Sequence, residues 1–137
     1  MFDRPAPPAP VPAAPPIRPG LSDIERQLVR AVAARREAAL GLLQRSVDIA
    51  SASGNHDGVR RLGALYAEAF GALGFTPRWV DQSAVGRAGH FLASRGSRGR
   101  RLLLLGHLDT VLEGEPFRHD GTRAYGSGIA DMKGGNL

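Results

Sequence analysis

The run Arg101-Leu-Leu-Leu-Leu105 lies between Gly99 and Gly106 and ends one residue short of His107. The two glycines leave too few residues for a helix. A short continuous apolar run between Gly-rich turns predicts a strand buried on both faces, at the centre of a helix-covered sheet. That expectation sets the fold class as α/β. It also directs attention to the residues just past the strand, because ligand-binding groups in open α/β sheets gather at the carboxyl ends of strands.

The rest of the chain supplies helices and shorter strands. Ser22 and Glu25 have the S-x-x-E spacing of a capping box. Leu28, Val32, Ala39, Leu43 and Val47 then recur close to one helical face, which predicts one long helix over about residues 22–51. Ser51-Ala-Ser-Gly-Asn55 breaks it. A second helix is expected at about 57–73, with Val59, Leu62, Tyr66, Ala69, Phe70 and Leu73 inward and Gly74 as terminator. Thr76–Val80 and His90–Ser94 have strand character. Asp120-Gly121 between Phe117 and Tyr125 predicts a short hairpin. There are no internal repeats.

Eight of the ten prolines fall within the first nineteen residues. Such a stretch favours extended, polyproline-like backbone, and it is read as a disordered leader over residues 1–20. Residues 21–137 then hold enough chain for one modest core. The chain has no cysteine, so disulfides and thiolate metal sites are excluded. No apolar run approaches a membrane span, and Pro interrupts any secretory-signal pattern, which points to a cytoplasmic protein without a membrane partner. The net charge is +5, and Lys133 is the only lysine beside seventeen arginines. The arginines are scattered and aromatic residues are few. The surplus is therefore read as compositional bias, with no nucleic-acid partner expected; a basic nucleic-acid-binding module is the alternative reading.

Two segments carry chemistry. In Gly106-His-Leu-Asp-Thr-Val111, positions i and i+2 share a side if the chain is extended, so the Asp109 carboxylate can reach the His107 ring. A metal-binding histidine commonly gives its second ring N–H to such a carboxylate. A plain hydrogen-bonded pair fits the same pattern. In Gly126-Ser-Gly-Ile-Ala-Asp-Met-Lys-Gly-Gly135, Asp131 sits in a tight Gly-rich turn. There it could bridge two cations or cap a helix N-terminus. Neither a dinucleotide nor a P-loop pattern is present.

Taken together, Gly-His-Leu-Asp-Thr-Val at 106–111 and Tyr-Gly-x-Gly-x-x-Asp-Met-Lys-Gly-Gly at 125–135 resemble the zinc aminoacylase and carboxypeptidase family. The likeness covers roughly residues 22–137. It implies the N-terminal part of a two-zinc exopeptidase-like catalytic domain, a helix-covered mixed sheet left incomplete here. The implied activity is metal-assisted hydrolysis of an amide or peptide bond next to a carboxylate, on a small peptide or N-acyl amino acid. Zn2+ would be the cofactor, two ions per complete site, with Co2+ as a substitute. By position, His107 corresponds to a ligand of one zinc, Asp109 to the catalytic-site residue that orients it, and Asp131 to the carboxylate that bridges both metals. The resemblance also implies a cis peptide between Asp131 and Met132, a helix opening near Lys133, and a homodimer for the full-length protein. The family's Glu-Glu pair, which supplies the general base and a further ligand, would lie beyond Leu137. Glu113 and Glu115 precede the bridging Asp and are not substitutes. His56, His90 and His119 are read as structural or solvent-facing. With that donor set, the 137-residue chain is expected to bind zinc weakly and not to hydrolyse amides, and an uncovered Leu102–Leu105 surface predicts poor solubility. A non-catalytic remnant that serves interaction only is the remaining alternative.

Overall fold

The computed structural model describes residues 20–112 and 114–137. Residues 1–19 of the Pro-rich leader, and Glu113, lie outside the described residues. The described residues divide into two units, with the division between Arg36 and Glu37.

In the first unit, helix α1 spans Asp23–Ala33. Its start is set by the capping box. The Ser22 hydroxyl accepts from the Glu25 backbone N–H, and the Glu25 carboxylate accepts from the Ser22 N–H at 2.7 Å. Two otherwise unpaired groups of the first turn are thus satisfied. That same carboxylate is held below its ordinary range, chiefly by the Ser22 hydroxyl.

The single long helix expected over 22–51 is corrected to two. After α1 the chain turns at Ala34 and Arg35, and helix α2 spans Arg36–Asp48. The cause is local. Arg35 N–H bonds to the Val32 carbonyl at 3.0 Å, a tightened i−3 closure, and its guanidinium reaches the Ala31 carbonyl at 3.1 Å. Carbonyls near the end of α1 are then met by turn and side-chain donors rather than by a continuing ladder. The apolar stripe read across this region divides as well. Leu43 and Val47 of α2 are buried, whereas Leu28 and Val32 of α1 are exposed.

In the second unit, helix α3 spans His56–Ala72, close to expectation, with the Asn55 side chain accepting from Gly58 N–H at its start. Strands β1 (Thr76–Val80) and β2 (His90–Ser94) occupy the ranges read from the sequence. They pair antiparallel, Thr76 opposite Ser94 and Val80 opposite His90. Phe70 of α3 meets Phe75 and Phe91 edge-on, with ring centroids 5.2 and 5.8 Å away, and so joins the helix to this sheet. The buried apolar residues are Leu43, Val47, Val59, Leu62 and Tyr66, from α2 and α3. The Asp120-Gly121 hairpin forms between β3 (Arg118–His119) and β4 (Ala124–Tyr125). The Asp120 carboxylate locks it by accepting from Thr122 N–H at 2.9 Å, Arg123 N–H at 2.7 Å and Tyr125 O–H at 3.1 Å.

Helices and strands therefore occur together, but the sheets differ from expectation. Among the described residues there are two separate two-stranded antiparallel sheets and no wider mixed sheet. The run Leu102–Leu105 is not a buried strand. It makes no ladder, and its four leucines are 77–85% exposed. Pairing with another segment begins only at Thr110, in an isolated parallel bridge to Ala52. A run apolar on both faces gains its burial only when both faces are covered, and the described residues cover neither. Among them, no helix is long and apolar enough to cross a membrane.

These two kinds of leucine respond oppositely to substitution. Leu62 is 0% exposed, so Leu62→Ala should cost about 2–5 kcal/mol in a urea unfolding titration. Leu103→Glu should leave stability within about 0.5 kcal/mol and reduce self-association measured by light scattering.

Candidate metal centre

Four short segments converge after Leu105. The bridge Ala52–Thr110 ties the first to the second. Thr110 N–H donates to the Ser51 carbonyl at 2.9 Å, Ser53 N–H to the Thr110 carbonyl at 3.2 Å, and the buried Ser51 hydroxyl to the Leu108 carbonyl at 3.0 Å. The third segment is the Gly-rich turn. Gly128 has φ +78°, a conformation that suits glycine, and a Cβ there would lie 2.2 Å from Thr110 Cγ2. The missing side chain lets the turn sit directly on the residue after Asp109.

From Gly128 the chain makes one wide π-type turn over Ile129–Lys133, closed by Lys133 N–H on the Gly128 carbonyl at 2.8 Å and Gly134 N–H on the Ile129 carbonyl at 2.9 Å. Asp131 and Met132 inside it are not helical (φ −139° and −135°), and the peptide between them is cis, as the family resemblance implies. No regular helix opens at Lys133, however. Residues 134–136 form turns instead. Lys133 is 1% exposed and donates from Nζ to the Ile49 carbonyl at 2.8 Å, just past the end of α2. An ammonium there meets both an end carbonyl and the negative pole of the helix. The fourth segment contributes Asn136, whose side-chain N–H donates to the His107 carbonyl at 2.7 Å.

The result brings His107, Asp109 and Asp131 together. His107 Nε2 lies 2.9 Å from Asp131 Oδ1. His107 Nδ1 lies 2.8 Å from the Asp109 carbonyl oxygen and 3.3 Å from its carboxylate Oδ1. The carbonyl can only accept, so Nδ1 carries a proton and Nε2 is the atom turned toward Asp131. Spacing alone suggested the carboxylate of Asp109 as the partner; the nearer acceptor is its backbone. The Asp109 carboxylate itself accepts from the Ser53 hydroxyl, Oδ2 to Oγ 2.6 Å. Sequence reasoning missed this role of Ser53, having treated its segment only as a helix break. It likewise missed Asn136, for which no local signal exists.

Electrostatics reflect the geometry. The Asp131 carboxylate on Nε2 raises the His107 pKa above its ordinary 6.5; partial burial opposes this, and the Asp109 carbonyl adds to the rise. Asp109 is held below its ordinary 3.8, first by the Ser53 hydroxyl and more weakly by His107, against partial burial.

The remaining candidates lie apart. His56 begins α3, His90 begins β2 and His119 ends β3. Glu115 pairs through its backbone with Ser127, and its carboxylate faces Arg118 at 3.6 Å. Nε2 and Oδ1, brought to within 2.9 Å from two segments, are an imidazole nitrogen and a carboxylate oxygen, donor types that zinc takes. Among the described residues there is no group of three His, Asp or Glu side chains placed to hold a metal ion.

No family model matches the chain. Over 115 residues, 80% of its length, the chain is 33% identical to carboxypeptidase G2 of Pseudomonas sp. (strain RS-16) and spans 28% of that protein. Over 77 residues, 51% of its length, it is 36% identical to succinyl-diaminopimelate desuccinylase of Acidiphilium cryptum (strain JF-5) and spans 20% of it. The chain is homologous to members of the zinc aminoacylase and carboxypeptidase family. It covers less than a third of either relative in that family.

The His107–Asp131 contact makes a pH-dependent contribution. Because the folded-state pKa of His107 is raised above 6.5, its stabilisation is fully present below pH 6.5 and is lost as pH rises through the folded midpoint. Asp131→Asn should move that midpoint back toward 6.5, as read by NMR titration of the His107 ring protons.

Proposed function

We propose that this chain carries the His107, Asp109 and Asp131 portion of the metal centre of a zinc-dependent hydrolase acting on a peptide or linear amide bond next to a carboxylate. The observation that supports it most is the meeting of His107 Nε2 and Asp131 Oδ1 at 2.9 Å, from segments 24 residues apart. Homology to a carboxypeptidase and a desuccinylase agrees with hydrolysis of this class of bond. Small peptides or N-acyl amino acids are the substrates it fits.

In this reading His107 presents the lone pair of Nε2 once that nitrogen has lost its proton. Asp131 presents Oδ1 beside it. Asp109 keeps the proton on Nδ1 through its carbonyl and places a negative carboxylate behind the ring, which makes Nε2 a stronger donor. Zinc, when bound, supplies an activated water and polarises the scissile carbonyl. The described residues place no glutamate at this point to act as general base, and two donors fall short of the three or four that a tight zinc site takes. Binding by the 137-residue chain is accordingly weak, and hydrolysis by it stays at background.

Cobalt(II) titration tests both parts. Added to the chain, cobalt should give visible-region absorbance that His107→Ala and Asp131→Ala each remove. Absorbance indifferent to both substitutions would overturn the assignment. Zinc-dependent hydrolysis of an N-acyl amino acid by the chain alone, abolished by Asp131→Ala, would overturn the expectation of background activity.

A further inference from the structure

Ser51-Ala-Ser53 runs alongside Leu108-Asp-Thr110, and the contacts alternate between backbone and side chain. The Ser51 carbonyl receives Thr110 N–H, the Ser51 hydroxyl reaches the Leu108 carbonyl, and Ser53 N–H reaches the Thr110 carbonyl. These three bonds fix the backbone on either side of Asp109. The fourth, from Ser53 Oγ to Asp109 Oδ2 at 2.6 Å, fixes its side chain. A hydroxyl donating to an ionised carboxylate is a charge-assisted bond, shorter and stronger than a neutral one.

The consequence reaches His107. With Oδ2 engaged by Ser53, the other oxygen, Oδ1, is the one that stands 3.3 Å from His107 Nδ1. The Asp109 carbonyl, at 2.8 Å, already holds a proton on Nδ1. What the carboxylate adds is negative charge behind the ring, and what Ser53 adds is its direction. Released from Ser53, the carboxylate would rotate about its own side-chain bonds into water, since it is partly exposed. Ser53 is itself exposed, so removing its hydroxyl leaves the buried core untouched.

We infer that Ser53 is a positioning residue of the metal centre, acting through Asp109 to hold the carboxylate against the His107 ring. Its importance for metal binding rests on the hydrolase reading above; its action on His107 does not.

The test uses the 137-residue chain with ring-15N-labelled histidine. In Ser53→Ala, the His107 Nδ1 resonance should shift in the direction of a weaker hydrogen bond. Ser53→Thr, which keeps the hydroxyl, should restore it. Asp109→Asn should give a comparable shift, and adding Ser53→Ala to Asp109→Asn should change nothing further. Cobalt(II) affinity should fall about tenfold in Ser53→Ala and recover in Ser53→Thr. An unchanged Nδ1 resonance in Ser53→Ala, or a shift that adds fully to that of Asp109→Asn, would overturn the inference. Cobalt binding indifferent to His107 would defeat the hydrolase reading alone, and the nitrogen resonances would still decide the role of Ser53.

Discussion

Gly128 has no side chain, and Thr110 occupies the space where one would stand. That contact brings the Asp131 turn onto the segment that carries His107 and Asp109. Any larger residue would push the turn away, and its positive φ would add backbone cost of roughly 1–2 kcal/mol. The contacts of the Asp131 turn with the rest of the second unit depend on this approach. The Nε2–Oδ1 meeting, the reach of Lys133 to Ile49 and the reach of Asn136 to the His107 carbonyl all lie downstream of it.

The site is therefore held mostly by backbone. Main-chain atoms of Ser51, Ser53, His107, Leu108, Asp109, Thr110 and Gly128 take part in the bonds that align it. Side chains add charge at defined points of that frame, Asp131 at one ring nitrogen and Asp109 behind the other. The frame explains why a partly exposed histidine and two carboxylates keep specific partners, although exposed ion pairs by themselves contribute little.

Local signals were legible in the sequence, and long-range burial was not. The capping box at Ser22, the strands at Thr76 and His90 and the Asp120-Gly121 hairpin each depend on neighbours a few residues away, and each appears where its pattern stands. The Leu102–Leu105 run failed as a buried strand because its pattern states a need for cover, which must come from elsewhere. The break at Ala34–Arg35 was hidden because apolar spacing continues through it, while an arginine side chain and an i−3 bond end the ladder. His107, Asp109 and Asp131 were singled out through two motifs read jointly, and the fold brings them together. Ser53 and Asn136 were not singled out, since a serine after a helix and an asparagine after two glycines look like ordinary turn residues.

The bond from Lys133 to Ile49 closes a loop of 84 residues, against 24 for His107 to Asp131. Loop closure grows only logarithmically, so the longer one costs about 1.1 kcal/mol more. That difference is small, yet it sets an order. The short closure that pairs the imidazole with its carboxylate is entropically the easier one, and the long closure that anchors the same turn to α2 must be sustained by the packing of the whole second unit. A ligand that grips His107 and Asp131 would stabilise the folded second unit through its binding. It would hold shut the turn through which the last residues of the chain communicate with the first helix of that unit's core.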